Sequence, residues 1–137
     1  LAGVACGLKD TVVGKMDGLR VADALTEIFT LVKRCNKYID ETEPWVLAKD
    51  PEKADRLKEV LYNLTEAIVI GTSLVEPFMP ETAQKVFAQL QTEARAYEDL
   101  GTFGLYPQGG RVTEKPEILF ARKDMKEVLA QVEELIK

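Results

Sequence analysis

From Val21 onward apolar residues return every three or four positions. Val21, Leu25, Ile28, Val32, Cys35 and Ile39 form one stripe, and Asp23, Glu27, Lys33, Arg34 and Lys37 fall off it. Side chains three and four apart share one face of an α-helix, so this spacing predicts an amphipathic helix whose stripe is a bundle seam. Upstream, Leu1, Val4, Ala5, Leu8, Val12 and Met16 keep helical spacing as well. Gly3, Gly7 and Gly14 interrupt that first helix, each weakening it by up to about 1 kcal/mol. Asp17-Gly18 is the expected stop, because glycine accepts the left-handed cap conformation.

The second helix must finish before Pro44, since a proline disfavours helical backbone in the residue it follows; Glu43 is expected to be extended. Asp50-Pro51 then supplies an N-cap and a proline at the first helical position, and a second long helix should start there. Leu57, Leu61, Leu64, Ile68 and Val75 are its expected buried side. Residues 67–70 are apolar all round and should lie deepest, with Gly71 allowing close approach of a neighbour. Pro77 and Pro80 end this helix and begin a shorter one with Ala83, Val86, Phe87 and Leu90 inward. Over residues 96–120, glycines and prolines break the periodicity, which predicts an irregular excursion pinned by Tyr97, Phe103, Tyr106 and Phe120, with a short extended segment at Val112. The final helix should begin near Asp124, run to Lys137 and bury Val128, Leu129, Val132, Leu135 and Ile136. The expected fold is all-α, a bundle of about four or five helices with an irregular loop before a C-terminal helix.

Composition narrows this picture. A chain of 137 residues, 46% of them hydrophobic, suits one domain spanning residues 1–137 with its own core. Cys6 and Cys35 lie far apart and the chain has no histidine, so a reduced cytoplasmic protein is expected rather than a disulfide or zinc scaffold. There is no secretory leader and no run of eighteen apolar residues, so no membrane association is expected. A first residue of Leu1 rather than Met points to an excised piece of a longer chain or a trimmed terminus. The net charge of −5 argues against a dedicated non-specific nucleic-acid binder but permits a local contact.

Catalytic chemistry is thin. Without histidine there is no His-centred triad, no imidazole base and no imidazole ligand. Gly109-Gly110-Arg111 is too short for a phosphate loop and reads as a turn. Asp40, Glu41 and Glu43 crowd a helix C-terminus and read as a solvated rim rather than a metal site. No catalytic residue and no metal site is therefore expected. The candidate chemistry is instead at the corner, where Trp45 sits among Lys33, Arg34, Lys37 and Lys49. An indole there is either a platform for an unstacked base among phosphate-seeking charges or a core anchor. The basic residues either meet phosphate or form a solvated face. Tyr38 is assigned to packing, and Asn36 to hydrogen bonding at the helix end.

Residues 36–49, N-K-Y-I-D-E-T-E-P-W-V-L-A-K, resemble the hallmark segment of the anticodon-binding helical domain of bacterial-type methionyl-tRNA synthetases, a class I family. The resemblance continues through L-V-E-P-F-M-P at 74–80 and I-L-F-A-R-K-D at 118–124, where the family usually reads Leu-Phe-Pro-Arg-Ile-Asp. The leucyl, isoleucyl, valyl and cysteinyl enzymes have similar helical domains, but Asn-Lys-Tyr-Ile-Asp followed by Pro-Trp is characteristic of the methionyl branch. The resemblance implies a class I anticodon-binding helix bundle in which Trp45 stacks near the cytosine at the first anticodon position and Lys49 supports that site. Lys33, Arg34 and Lys37 are the candidates for phosphate contact. The family reads the cytosine edge with an Asn and an Arg one turn apart on a preceding helix, which would lie before Leu1; the domain is then N-terminally truncated.

The implied partners are the CAU anticodon loop of methionine tRNA and the catalytic domain of the same parent chain. Removal of a core helix would also expose an apolar stripe and favour self-association. The parent would be a methionine–tRNA ligase using ATP and Mg, with zinc in its other domains in some members and a further tRNA-binding domain after Lys137 when one is present. This segment lacks the family's histidine-containing ATP signature and its lysine loop, so it should hold no cofactor and be inactive alone. Two other readings are a stand-alone helical protein-interaction module and the anticodon domain of another class I synthetase.

Overall fold

The computed structural model describes residues 1–136, and Lys137, the expected last residue of the final helix, lies outside the described residues. Six helices follow one another: α1 (Ala2–Asp17), α2 (Val21–Thr42), α3 (Pro44–Leu47), α4 (Ala54–Val75), α5 (Pro80–Leu90) and α6 (Met125–Ile136), with 3-10 turns at Pro51–Lys53 and Tyr97–Gly101. Among the described residues there is no strand, so Val112 belongs to irregular chain and not to the extended segment expected there.

The core is where α1, α2 and α4 meet. Ala5, Leu8 and Val12 of α1 join Ala24, Ile28, Leu31 and Cys35 of α2 and Val60, Leu64, Ala67, Ile70 and Leu74 of α4. The α2 seam therefore runs through 24, 28, 31 and 35, and the expected members Val21 and Val32 are exposed. α2 carries more apolar residues than one seam holds, and contact with α1 on one side and α4 on the other decides which face is covered. α1 survives its three glycines because its buried face packs; burial, not propensity, stabilises such a helix. It ends in a Schellman arrangement: Leu19 N–H donates to Met16 O at 2.9 Å and Arg20 N–H to Lys15 O at 2.8 Å. The left-handed residue is Leu19, with φ 58°, whereas Gly18 has φ −82°, so the expected glycine cap is displaced by one residue.

α4 is the central helix. Ala67, Val69 and Ile70 are buried as the all-apolar turn predicts, but Leu61 and Ile68 are exposed. Gly71 does permit close approach, since a Cβ there would lie 3.3 Å from Leu31 Cδ2. α5 covers the other side of α4 through Ala83 and Phe87, which cluster with Val69. Between α5 and α6 the excursion is pinned by Leu100 and Phe103 against the main core and by Tyr106 against the α5 cluster. Tyr97 and Phe120, expected as pins, are exposed. Asp124 caps α6 as expected, accepting from Lys126 N–H at 2.9 Å and Glu127 N–H at 3.3 Å. The helix buries nothing, however: Leu129, Val132, Leu135 and Ile136 are exposed and Val128 is half-buried. Among the described residues no bundle helix packs along α6, which leaves its apolar face in solvent. No helix of the described residues is long and apolar enough to cross a membrane.

Candidate nucleic-acid interface

The corner after α2 is built by one residue in an unusual conformation. Glu43 has φ 44° and ψ 59°, left-handed rather than extended. Proline excludes right-handed helical backbone before it, and the left-handed conformation satisfies that exclusion while keeping two sets of hydrogen bonds. Glu43 N–H still donates to Ile39 O at 2.9 Å, closing α2, and Glu43 O accepts from Val46 N–H at 2.8 Å, opening α3. The chain thus passes from one helix to the next through a single residue. Of the short helix that follows, Leu47 packs on the core and Trp45 points outward, 51% exposed. The core-anchor reading of the indole is thereby removed. Among the described residues no hydrogen bond engages its ring nitrogen, so an apolar flat surface is what the corner presents. Lys49, also exposed, follows one turn later, and Asp50 caps the next turn by accepting from Glu52 N–H at 3.1 Å.

The last turns of α2 carry the other expected site residues. Arg34 Nη1 lies 3.1 Å from Glu41 Oε2, and Lys37 Nζ lies 3.9 Å from Glu41 Oε1. Lys33 is exposed. Two of the three expected phosphate seekers therefore share one carboxylate partner, in half-exposed pairs that contribute little to stability. Tyr38 packs on the core beside Ile39, as assigned. Its hydroxyl accepts from Asn63 Nδ2 at 3.2 Å, and Thr42 Oγ1 donates to its carbonyl at 2.7 Å. The Arg34 guanidinium lies 6.0 Å from the Tyr38 ring centroid. Among the described residues Asn36 makes none of the helix-end hydrogen bonds expected of it; it borders an apolar groove instead. Asp40, Glu41 and Glu43 form no metal-holding group among the described residues.

That groove, of about 330 Å³, runs between α2, α4 and α5, with Phe29, Val32, Ile68, Val86 and Phe120 on its walls. A wider depression of about 660 Å³ separates α4 from residues 106–112, between Lys58, Tyr62 and Thr65 on one side and Gly109 and Gly110 on the other. The Gly-Gly-Arg run is a turn, as read: Gly109 has φ +76° and Gly110 N–H donates to Pro107 O at 3.2 Å.

The buried charged residue among the described residues, Glu66, escaped the sequence reading. Glu66, 0% exposed, accepts two bonds from Arg95, at 2.6 and 3.0 Å. It also accepts from the backbone N–H groups of Gly104 and Tyr106. Burial pushes its carboxyl up, but Arg95 and then the two N–H groups outweigh that and hold it below the usual glutamate range. Tyr62, whose hydroxyl donates to Tyr106 O at 2.7 Å, is raised by burial and by the Glu66 charge, with Arg95 opposing. Burial also raises the Cys35 thiol, with Arg34 opposing, so that cysteine is an inert core residue. The signal in the sequence was a lone carboxylate inside the apolar run T-E-A-I-V-I at residues 65–70, since a charge there must be paired.

The sequence and the all-helical bundle match known proteins. The family described as the anticodon binding domain of methionyl tRNA ligase matches residues 7–134. The methionine–tRNA ligase of Caldanaerobacter subterraneus subsp. tengcongensis is 49% identical over 97% of this chain and 21% of its own length. That of Clostridium perfringens is 42% identical over 98% of this chain and 21% of its own length. The chain thus spans about a fifth of these relatives. The apo crystal structure of Mycobacterium tuberculosis methionyl-tRNA synthetase superimposes with a TM-score of 0.77 at 30% identity, covering 88% of this chain and 25% of that one. This chain belongs to the family of anticodon-binding domains of methionyl-tRNA ligases.

Proposed function

We propose that the chain is the module of a methionine–tRNA ligase that recognises the CAU anticodon of methionine tRNA, with Trp45 stacking on a base of the opened loop. The observation that carries this reading is the half-exposed indole at the corner. Single-stranded loops are read by splaying bases onto aromatic faces. Lys49 supports the stacked base, and Lys33, Arg34 and Lys37 meet the loop phosphates. Stacking does not choose among bases, so selection of cytosine falls to an Asn and an Arg on a preceding helix of the parent. Methionine activation with ATP and Mg belongs to the parent's catalytic domain, and the parent works in the cytoplasm.

The test is Trp45→Ala in the full-length ligase. Loss of a stacked base is worth about 1 to 3 kcal/mol, or roughly five- to 150-fold in tRNA affinity. Charging of tRNA at limiting tRNA should fall within that range, while methionine-dependent ATP–pyrophosphate exchange stays within about twofold, because catalysis and recognition occupy different domains. Equal loss of both activities overturns the assignment.

The apolar groove and the uncovered face of α6 support a second proposal: the isolated chain associates with itself. Contiguous apolar surface of this kind is rare on monomers.

A further inference from the structure

The corner that carries Trp45 has only one side chain of its own in the core, Leu47. Its orientation depends on that residue, on the contact of α3 with α4, and on what holds the end of α2 against α4. Beside the apolar contacts of Cys35, Tyr38 and Ile39 with the core, one cross-helix hydrogen bond joins the two helices here. Tyr38 lies one turn before the end of α2, and its hydroxyl accepts from Asn63 Nδ2 on α4 at 3.2 Å. Both residues are half-buried. The same tyrosine is tied to the last residue of α2, because Thr42 Oγ1 donates to its carbonyl at 2.7 Å. The chain of contacts is thus Asn63 to Tyr38, Tyr38 to Thr42, and then directly to the left-handed Glu43 and the indole two residues on.

We infer that Tyr38 and Asn63 are positioning residues for recognition at Trp45, acting as a clamp that fixes the angle at which α3 leaves α2. This rests on the reading of Trp45 as the base-stacking residue. Neither clamp residue contacts the RNA. The clamp works by pre-organisation: an indole already held in the binding orientation loses less freedom when the base arrives. The Tyr38 ring continues to pack on the core when its hydroxyl is removed, so Tyr38→Phe deletes the clamp and keeps the apolar contacts.

Equilibrium titration of the full-length ligase with a labelled CAU anticodon stem-loop tests this. Tyr38→Phe and Asn63→Ala should each raise Kd about three- to tenfold, the equivalent of one net intramolecular hydrogen bond. The titration stoichiometry should not change, and the double variant should bind no more weakly than the weaker single, because both remove the same bond. A purely structural role would instead lower the stoichiometry through loss of folded protein and leave Kd of the remainder alone. If both variants bind within about twofold of the parent while Trp45→Ala weakens binding, the clamp is overturned and recognition by Trp45 stands. If Trp45→Ala is equally silent, the recognition reading fails and the clamp with it.

Discussion

Arg95 reaches across from the chain after α5 to place its guanidinium on the Glu66 carboxylate, Nη2 to Oε1 at 2.6 Å and Nη1 to Oε2 at 3.0 Å. The two side chains are 7% and 0% exposed. Together with the core contacts of Leu100 and Phe103, this fork ties residues 95–106 to the bundle: Arg95 Nη1 also donates to Thr102 O at 3.3 Å, and the remaining carboxylate capacity goes to Gly104 and Tyr106 N–H. A buried pair contributes little net stability over an apolar replacement, but leaving one member alone is costly. Arg95→Met should therefore destabilise the domain by about 3 to 5 kcal/mol, and Glu66→Leu/Arg95→Met should not restore it, because the Gly104 and Tyr106 N–H groups then lose their acceptor. Urea unfolding midpoints measure both.

The same carboxylate sets an acid limit. Its folded-state pKa is depressed, so the folded protein favours the ionised form more than the unfolded chain does. The stabilisation is fully present above the unfolded glutamate value, about 4.3, and is lost as pH falls through the lower folded value. Unfolding free energy should be insensitive to Glu66 between pH 7 and 5 and fall below that window. Glu66→Gln should be less stable at neutral pH and show a shallower decline on acidification; an unchanged acid limb would contradict the assignment.

Glu41 holds Arg34 and Lys37 in the unbound protein. On the proposed reading, a loop phosphate competes with that carboxylate for both. Glu41→Gln should tighten stem-loop binding by about two- to fivefold and steepen its salt dependence, since freed cations release more counterions. Filter binding at several salt concentrations reads both effects.

The isolated chain exposes Phe29, Val32 and Ile68 along the groove and Leu129, Leu135 and Ile136 on α6. Its mass by light scattering should rise with concentration, and Ile68→Glu on the groove wall should shift it back toward monomer. A compact monomer at every concentration contradicts this.

Helix positions were legible in the sequence because periodicity and proline punctuation are local signals. Which apolar face is buried was not, where a helix carries a surplus. Leu31 and Val32 are adjacent in α2 and equally apolar, and only the neighbours α1 and α4 settle that Leu31 is inside. The α6 stripe reads as core for the same reason, since its pattern is genuine while among the described residues no bundle helix covers it. Glu43 and Leu19 show the limit at corners: proline and glycine mark where the chain turns, while the hydrogen bonds at each helix end decide the dihedral angles. The Glu66 clamp was hidden because its partners lie 29 to 40 positions away. Trp45 was the reverse case, since proline placed it at a bend and the structure turned it outward.

That outward indole is the only tryptophan in the chain, so its fluorescence reports on the corner alone. The direct measurement is iodide quenching of Trp45 fluorescence, without and with a CAU anticodon stem-loop. Efficient quenching is expected for the free chain and strong suppression when the stem-loop is added, with a stem-loop of unrelated anticodon shielding less. A blue-shifted emission that iodide does not reach, or quenching that the CAU stem-loop leaves unchanged, contradicts stacking at Trp45.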